Sequence, residues 1–210
     1  MDYNGSIYFF GMLMYALQIY CDFSGGIDIA RGAAQMLGIN MPNNFERPYF
    51  SMSVAEYWRR WHITLGAWMR EYVFFPVMLS KPVTKISKFF RKKGKKQIAK
   101  LVPSVITPFI VFFLIGIWHG ASWNFVLWGI YYFILLVLEK FIFLKYTEKL
   151  PALLRRVITF MFVLFGWVLF ACTSLSDIGG FFASMFGVNG IFDNEAVFML
   201  TENFLMLVIM

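Results

Sequence analysis

Between Lys100 and Glu139 the chain runs for 38 residues without one aspartate, glutamate, lysine or arginine. At about 20 residues per membrane-spanning helix, that stretch holds about two crossings. The rest of the composition agrees: 60% of the 210 residues are hydrophobic, 20% aromatic and 15% charged, outside the usual range of soluble globular domains. The sequence therefore predicts an all-α, polytopic integral membrane protein.

The two crossings are expected from about Leu101 to Trp118 and from about Ser122 to Leu138, with His119-Gly120-Ala121 at their junction. A third is expected from about Val157 to Cys172. Earlier, an apolar stretch from Ile7 to Tyr20 runs into two carboxylates and several small residues, Asp22-Phe23-Ser24-Gly25-Gly26-Ile27-Asp28. This reads as a span, a turn, and a second, more polar helix to about Leu37. Pro42, Asn43, Asn44 and Pro48 mark a loop. Ser53 with Glu56 three residues on fits a capping box, so a helix is expected to start there and continue to about Tyr72. Its apolar residues, Val54, Tyr57, Trp58, Trp61, Leu65, Trp68, Met69 and Tyr72, recur at helical spacing and predict an amphipathic helix lying along the membrane interface.

The net charge of +7 is a local effect. Nine positive residues, from Lys81 to Lys100, stand without an acidic residue between them, and the remainder carries 10 basic against 12 acidic side chains. A basic connection between apolar segments marks a cytoplasmic loop, here residues 81–100, rather than a nucleic-acid surface. Anionic membrane lipid or an acidic protein partner could use it as well. Glu139 to Arg156 is again rich in basic residues and reads as cytoplasmic, whereas the segment bearing Asp177, Asp193 and Glu195 is expected outside. The apolar run from Phe204 stops at Met210, too short to cross a bilayer, so the chain reads as a partial domain.

Chemistry centres on the only two histidines, each in an aromatic passage: Tyr57-Trp58-Arg59-Arg60-Trp61-His62 and Trp118-His119-Gly120-Ala121-Ser122-Trp123-Asn124. Histidine is the side chain whose ordinary pKa suits proton exchange near neutrality, and polar groups at membrane depth are costly. His119 beside two small residues could take a proton from a hydroxyl and return it, or could hydrogen-bond a helix end. His62 could act or anchor the interface. Asn124 and Ser122 are candidate partners of His119 or of a substrate, or caps of the next helix. Cys21 and Cys172 are isolated and mark no disulfide scaffold or zinc site, and a metal or haem site held by both histidines has only their count of two behind it.

Four ordered motifs also resemble the membrane-bound O-acyltransferase family, in particular its bacterial branch of alginate O-acetylation and teichoic acid D-alanylation proteins. They are Asp22-Phe23-Ser24-Gly25, Pro42-Asn43-Asn44-Phe45 with Pro48-Tyr49, Glu56-Tyr57-Trp58-Arg59-Arg60-Trp61-His62-Ile63, and Trp118-His119-Gly120-Ala121-Ser122-Trp123-Asn124. Gly26 and Ile27 depart from the tyrosine and serine that usually continue the first motif.

The resemblance implies a helical bundle, of which residues 1–210 would be the C-terminal half, lacking a set of helices before the first motif. It implies transfer of an acyl group, acetyl above all or alternatively D-alanyl, from a cytoplasmic thioester to a hydroxyl of a polysaccharide or teichoic acid. The donor would be acyl-CoA or an acyl carrier protein, with no tightly bound cofactor and no metal, and a periplasmic or extracellular acyltransferase is a possible partner. The family's essential histidine maps onto His119 and its second onto His62. Trp118, Ser122, Asn124, Asp22, Arg59 and Arg60 are the candidate substrate-binding residues. Readings of another class are a membrane transporter and an inactive scaffold.

Overall fold

The computed structural model describes residues 3–191 and 194–204, and every regular element among them is helical. Asp193 lies outside the described residues, as does most of the apolar run from Phe204.

The first helix, α1 (Gly5–Met36), starts at Asn4, whose side-chain oxygen accepts from the Ile7 N–H. The turn expected after the apolar stretch that ends at Tyr20 does not form; Gly25 and Gly26 are helical. A glycine costs a helix only about 1 kcal/mol, and Phe23, one turn from Ile19, packs edge-on against Phe45 at 5.0 Å. That packing holds the helix together where its local sequence is weak.

The helix expected from Ser53 to Tyr72 is instead broken at Trp61-His62 into α2 (Val54–Arg60) and α3 (Ile63–Met69). A π-helical turn at Arg70–Phe74 and α4 (Phe75–Leu79) follow. The cause lies in the preceding loop. The Glu46 N–H takes the Arg60 carbonyl at 3.0 Å, and the Ile63 and Thr64 N–H groups donate to the main-chain and side-chain oxygens of Asn44 at 2.9 and 3.0 Å. Partners that a continuous helix would supply are thus replaced by the loop, and the polar groups stay satisfied. The apolar stripe is not buried as one face either: Val54, Tyr57, Trp61 and Met69 are buried, while Trp68 and Tyr72 are exposed. The long interfacial helix is therefore not present as one element.

The start of α2 is fully capped. Ser53 Oγ accepts from the Glu56 N–H at 3.0 Å, and Glu56 reaches back to the Met52 N–H at 2.8 Å. The first two amides of the helix, Val54 and Ala55, donate to the two carboxylate oxygens of Glu139, which is buried.

The basic connection is ordered as α5 (Lys81–Lys92) rather than as a loop through residue 100. A left-handed turn at Gly94 leads into α6 (Lys96–His119). Val83, Ile86 and Phe90 share a face at helical spacing, and Val83 is buried; that face turns the lysine-rich stretch into an amphipathic helix.

Helix α6 and α7 (Trp123–Leu138) form an antiparallel hairpin whose backbones nearly touch. A Cβ on Gly116 would stand 2.6 Å from the Phe125 carbonyl oxygen, and one on Gly129 would overlap the Phe112 carbonyl. Small residues let spanning helices approach this closely. After a π-helical turn (Glu139–Phe143) and α8 (Leu144–Thr147), α9 (Ala152–Ala171) packs back on α7, with the Tyr131 hydroxyl donating to the Phe162 carbonyl at 2.8 Å. Helices α10 (Leu175–Met185) and α11 (Asn194–Glu202) complete the described chain.

Among the described residues, three helical segments are long and apolar enough to cross a membrane: Lys96–His119, Trp123–Thr147 and Ala152–Ala171. The molecule is an all-helical, multi-pass membrane protein, as its composition requires. Its core is aromatic, with Trp128, Tyr57, Tyr132 and Leu164 the largest fully buried side chains.

Candidate active site

His62 sits at the break between α2 and α3 in the left-handed region, φ 45°. That conformation is uncommon for a residue other than glycine and is sustained only when the surroundings enforce it. Here Asn44 does so: its side-chain oxygen accepts from the Thr64 N–H and the Thr64 hydroxyl, both at 3.0 Å, and pairs with His62 Nδ1 at 3.1 Å. An oxygen that already takes the Thr64 amide can only accept, so Nδ1 carries the ring proton and Nε2 keeps its lone pair. Burial also pushes the His62 pKa below its ordinary value, which favours this neutral form. Phe23 packs edge-on to the ring at 4.8 Å.

His119 is the last residue of α6. Its ring is held edge-on by Trp128 at 5.0 Å, Phe170 at 5.1 Å and Trp118 at 4.9 Å, and it has no hydrogen-bond partner among the described residues. Aromatic packing thus orients this imidazole while its nitrogens remain available.

Both histidines line one cavity of about 340 Å³. Asp22 and Phe23 from α1, Trp58 and Trp61 from the α2 segment, and Trp128, Trp167 and Phe170 from α7 and α9 complete most of its wall. Two imidazoles and one carboxylate in an otherwise apolar, mostly aromatic chamber can take up and return a proton. Asp22, which the sequence placed on a turn, reaches the chamber from a continuous helix; Asp28 points away and pairs with Arg31 at 3.2 Å.

The other candidates fall elsewhere. Trp118 is 58% exposed and lies at 6.5 Å from the His62 ring, beside the chamber rather than in its wall. Asn124 is buried behind Phe170, donating to its carbonyl at 3.0 Å, so it braces the wall. Ser122 occupies the N-cap position of α7 without a side-chain capping bond and does not line the chamber. Arg59 and Arg60, neighbours on a helix and so about 100° apart, serve different cavities. Arg59 lines one of about 490 Å³ against α6, and Arg60 lines one of about 710 Å³ with Arg47 and Arg156. Arg60 also pairs with Glu56 at 2.6 Å.

Asn44 is the site residue that the sequence reading did not single out, although it stands inside the second quoted motif. Its signal was the Asn43-Asn44 pair between two prolines, a composition that favours side-chain to backbone bonds. Among the described residues no three histidine, cysteine, aspartate or glutamate side chains gather in a way that could hold a metal ion.

Residues 4–92 match the model of MBOAT, the membrane-bound O-acyltransferase family. A probable alginate O-acetylase AlgI of Azotobacter vinelandii is 34% identical over 176 residues, covering 84% of this chain and 32% of that protein. A peptidoglycan O-acetyltransferase of Helicobacter pylori is 33% identical over 183 residues, covering 85% of this chain and 31% of the relative. A teichoic acid D-alanyltransferase of Bacillus subtilis is 33% identical over 173 residues, covering 79% and 40%. The match thus spans about a third of the length of the relatives named first. With its helical membrane architecture, its motifs in order and these relatives, the chain belongs to the membrane-bound O-acyltransferase family.

Proposed function

We propose that this chain carries the transfer site of a cell-membrane O-acyltransferase, which moves an acyl group from a cytoplasmic thioester donor to a hydroxyl of a cell-envelope polysaccharide. The observation that carries the reading is that His62 and His119, 57 positions apart, line the same aromatic cavity.

In the reaction, a ring nitrogen of His119 accepts the proton of the acceptor hydroxyl, and the oxygen attacks the thioester carbonyl carbon. The tetrahedral intermediate collapses with cleavage of the C–S bond, and the leaving thiolate takes the proton back from His119. His62, with Nε2 as an acceptor, holds the incoming hydroxyl or the protonated form of its neighbour in line. The chamber brings donor and acceptor together with little water, where positioning alone is worth several kcal/mol of barrier. The donor is acyl-CoA or an acyl carrier protein, drawn to the basic cytoplasmic side that α5 marks. Arg59 and Arg60 would act on separate parts of a ligand rather than as one clamp, and Asn124 supports the site from behind through its bond to the Phe170 carbonyl.

Acetyl is the group favoured by the alginate and peptidoglycan relatives, whose names state O-acetylation. D-alanyl transfer remains the second reading because a D-alanyltransferase matches as well. The test is to incubate membranes containing the complete protein with isotope-labelled acetyl or D-alanyl thioesters and to read labelled esters on envelope polymer by mass. One labelled ester supports transfer and names the group; solute flux without any ester would overturn the reading in favour of transport.

A further inference from the structure

Glu139 is a buried carboxylate at the end of a 38-residue stretch free of other charges, and the transfer chemistry has no use for it. Burying an ionisable group costs free energy unless strong bonds repay it. Here both carboxylate oxygens are engaged, one by the Val54 N–H and one by the Ala55 N–H at 2.9 Å, from residues 85 and 84 positions away. The π-helical turn that begins at Glu139 adds a residue to the turn at this point, a feature that re-aims side chains.

The element it caps has only seven residues. A helix of two turns has no stability of its own, so tertiary contacts decide where it lies. Those contacts are rings: Tyr57 stacks on Tyr132 at 6.3 Å, and Trp58 meets Trp128 at 5.6 Å and Tyr132 at 4.8 Å, all on α7. Aromatic contacts tolerate sliding; a pair of charge-assisted hydrogen bonds to two successive amides does not. At the far end of the same short helix, about 10 Å from its start at 1.5 Å per residue, the chain enters the chamber as Trp61 and His62. Trp128 of α7, in turn, packs against His119.

We propose that Glu139 is a positioning residue: its paired bonds to Val54 and Ala55 set the register of α2 on α7, and thereby the place of His62 opposite His119. The consequence for turnover rests on the acyl-transfer reading given above; the consequence for geometry does not.

The experiment follows the two imidazoles directly. Diethyl pyrocarbonate acylates unprotonated histidine, and peptide mass spectrometry gives the modification rate of His62 and His119 separately in the membrane-inserted complete protein. Wild type is compared with Glu139→Ala and with Glu139→Gln, which keeps one acceptor oxygen and the side-chain shape. The expected result is a several-fold change in the His62 rate in Glu139→Ala, an unchanged His119 rate, and partial return in Glu139→Gln. An unchanged His62 rate in Glu139→Ala would overturn the proposal. So would a parallel rise of both rates to the denatured level in both variants, which would make Glu139 a general stabiliser. Acyl transfer measured on the same samples separates the two claims: a displaced His62 with undiminished transfer would remove His62 from the chemistry and leave its positioning intact.

Discussion

His62 donates from Nδ1 to the side-chain oxygen of Asn44 at 3.1 Å, and this bond decides which ring nitrogen carries the proton. Replacing Asn44 with leucine removes the acceptor for His62, for the Thr64 N–H and for its hydroxyl at once. A buried donor left without a partner costs about 1–3 kcal/mol, so the variant should unfold at clearly lower temperature in detergent and lose transfer. Asn44→Asp should keep the three bonds and the fold. Its negative charge would favour protonated His62, so the acid limb of the rate profile should move to higher pH.

The pH dependence of stability carries a defined sign. Burial lowers the His62 pKa in the folded protein, so below about pH 6.5, the ordinary histidine value, the unfolded chain takes up the proton more readily than the folded one. The stability contributed by neutral His62 is complete above that pH and is lost as pH falls through it towards the folded value. Relative to His62→Gln, wild type should therefore lose thermal stability between pH 7.5 and 5. Asp22 and His119, the other titratable groups that line the chamber, are present in both proteins. A constant difference across that range would contradict the assignment.

Two glycine substitutions should act in opposite directions. Gly129→Ala drives a methyl group into the Phe112 carbonyl across the α6–α7 hairpin, and such overpacking costs about 1–3 kcal/mol. Gly25→Ala meets no atom within 4 Å, inside a continuous helix, and should stabilise by about 0.5–1 kcal/mol. Thermal unfolding of the two variants beside wild type measures both.

The α6 and α7 spans were legible in the sequence because nothing but a helix suits 38 residues without a charged side chain, whereas the span read from Ile7 to Tyr20 falls in α1, which is not among the three segments long and apolar enough to cross. The Ser53 cap was legible because its bond to Glu56 is local. The break at His62 was not, because the groups that enforce it come from Asn44, 18 residues away, and the stripe of apolar residues runs through the break with undisturbed spacing. The Gly25-Gly26 pair misled in the other direction, as Phe23 packing carries the helix across it. Asp22, His62 and His119 were singled out as residue types, yet only the fold brings them to one cavity. Asn124, five residues from His119, faces the Phe170 backbone instead, a distinction that sequence spacing around a helix end does not make. Glu139 looked like the border of a cytoplasmic stretch, since its partners are 84 and 85 positions away.

The central claim is that the two-histidine chamber performs acyl transfer with His119 as the base. Its most direct test compares wild type, His119→Ala and His62→Ala versions of the complete protein at matched membrane level, with esters released from envelope polymer identified by mass. The account expects His119→Ala to abolish one defined ester, a loss of at least about 100-fold for a general base, with His62→Ala reduced to a lesser degree. Esters unchanged in His119→Ala would contradict it.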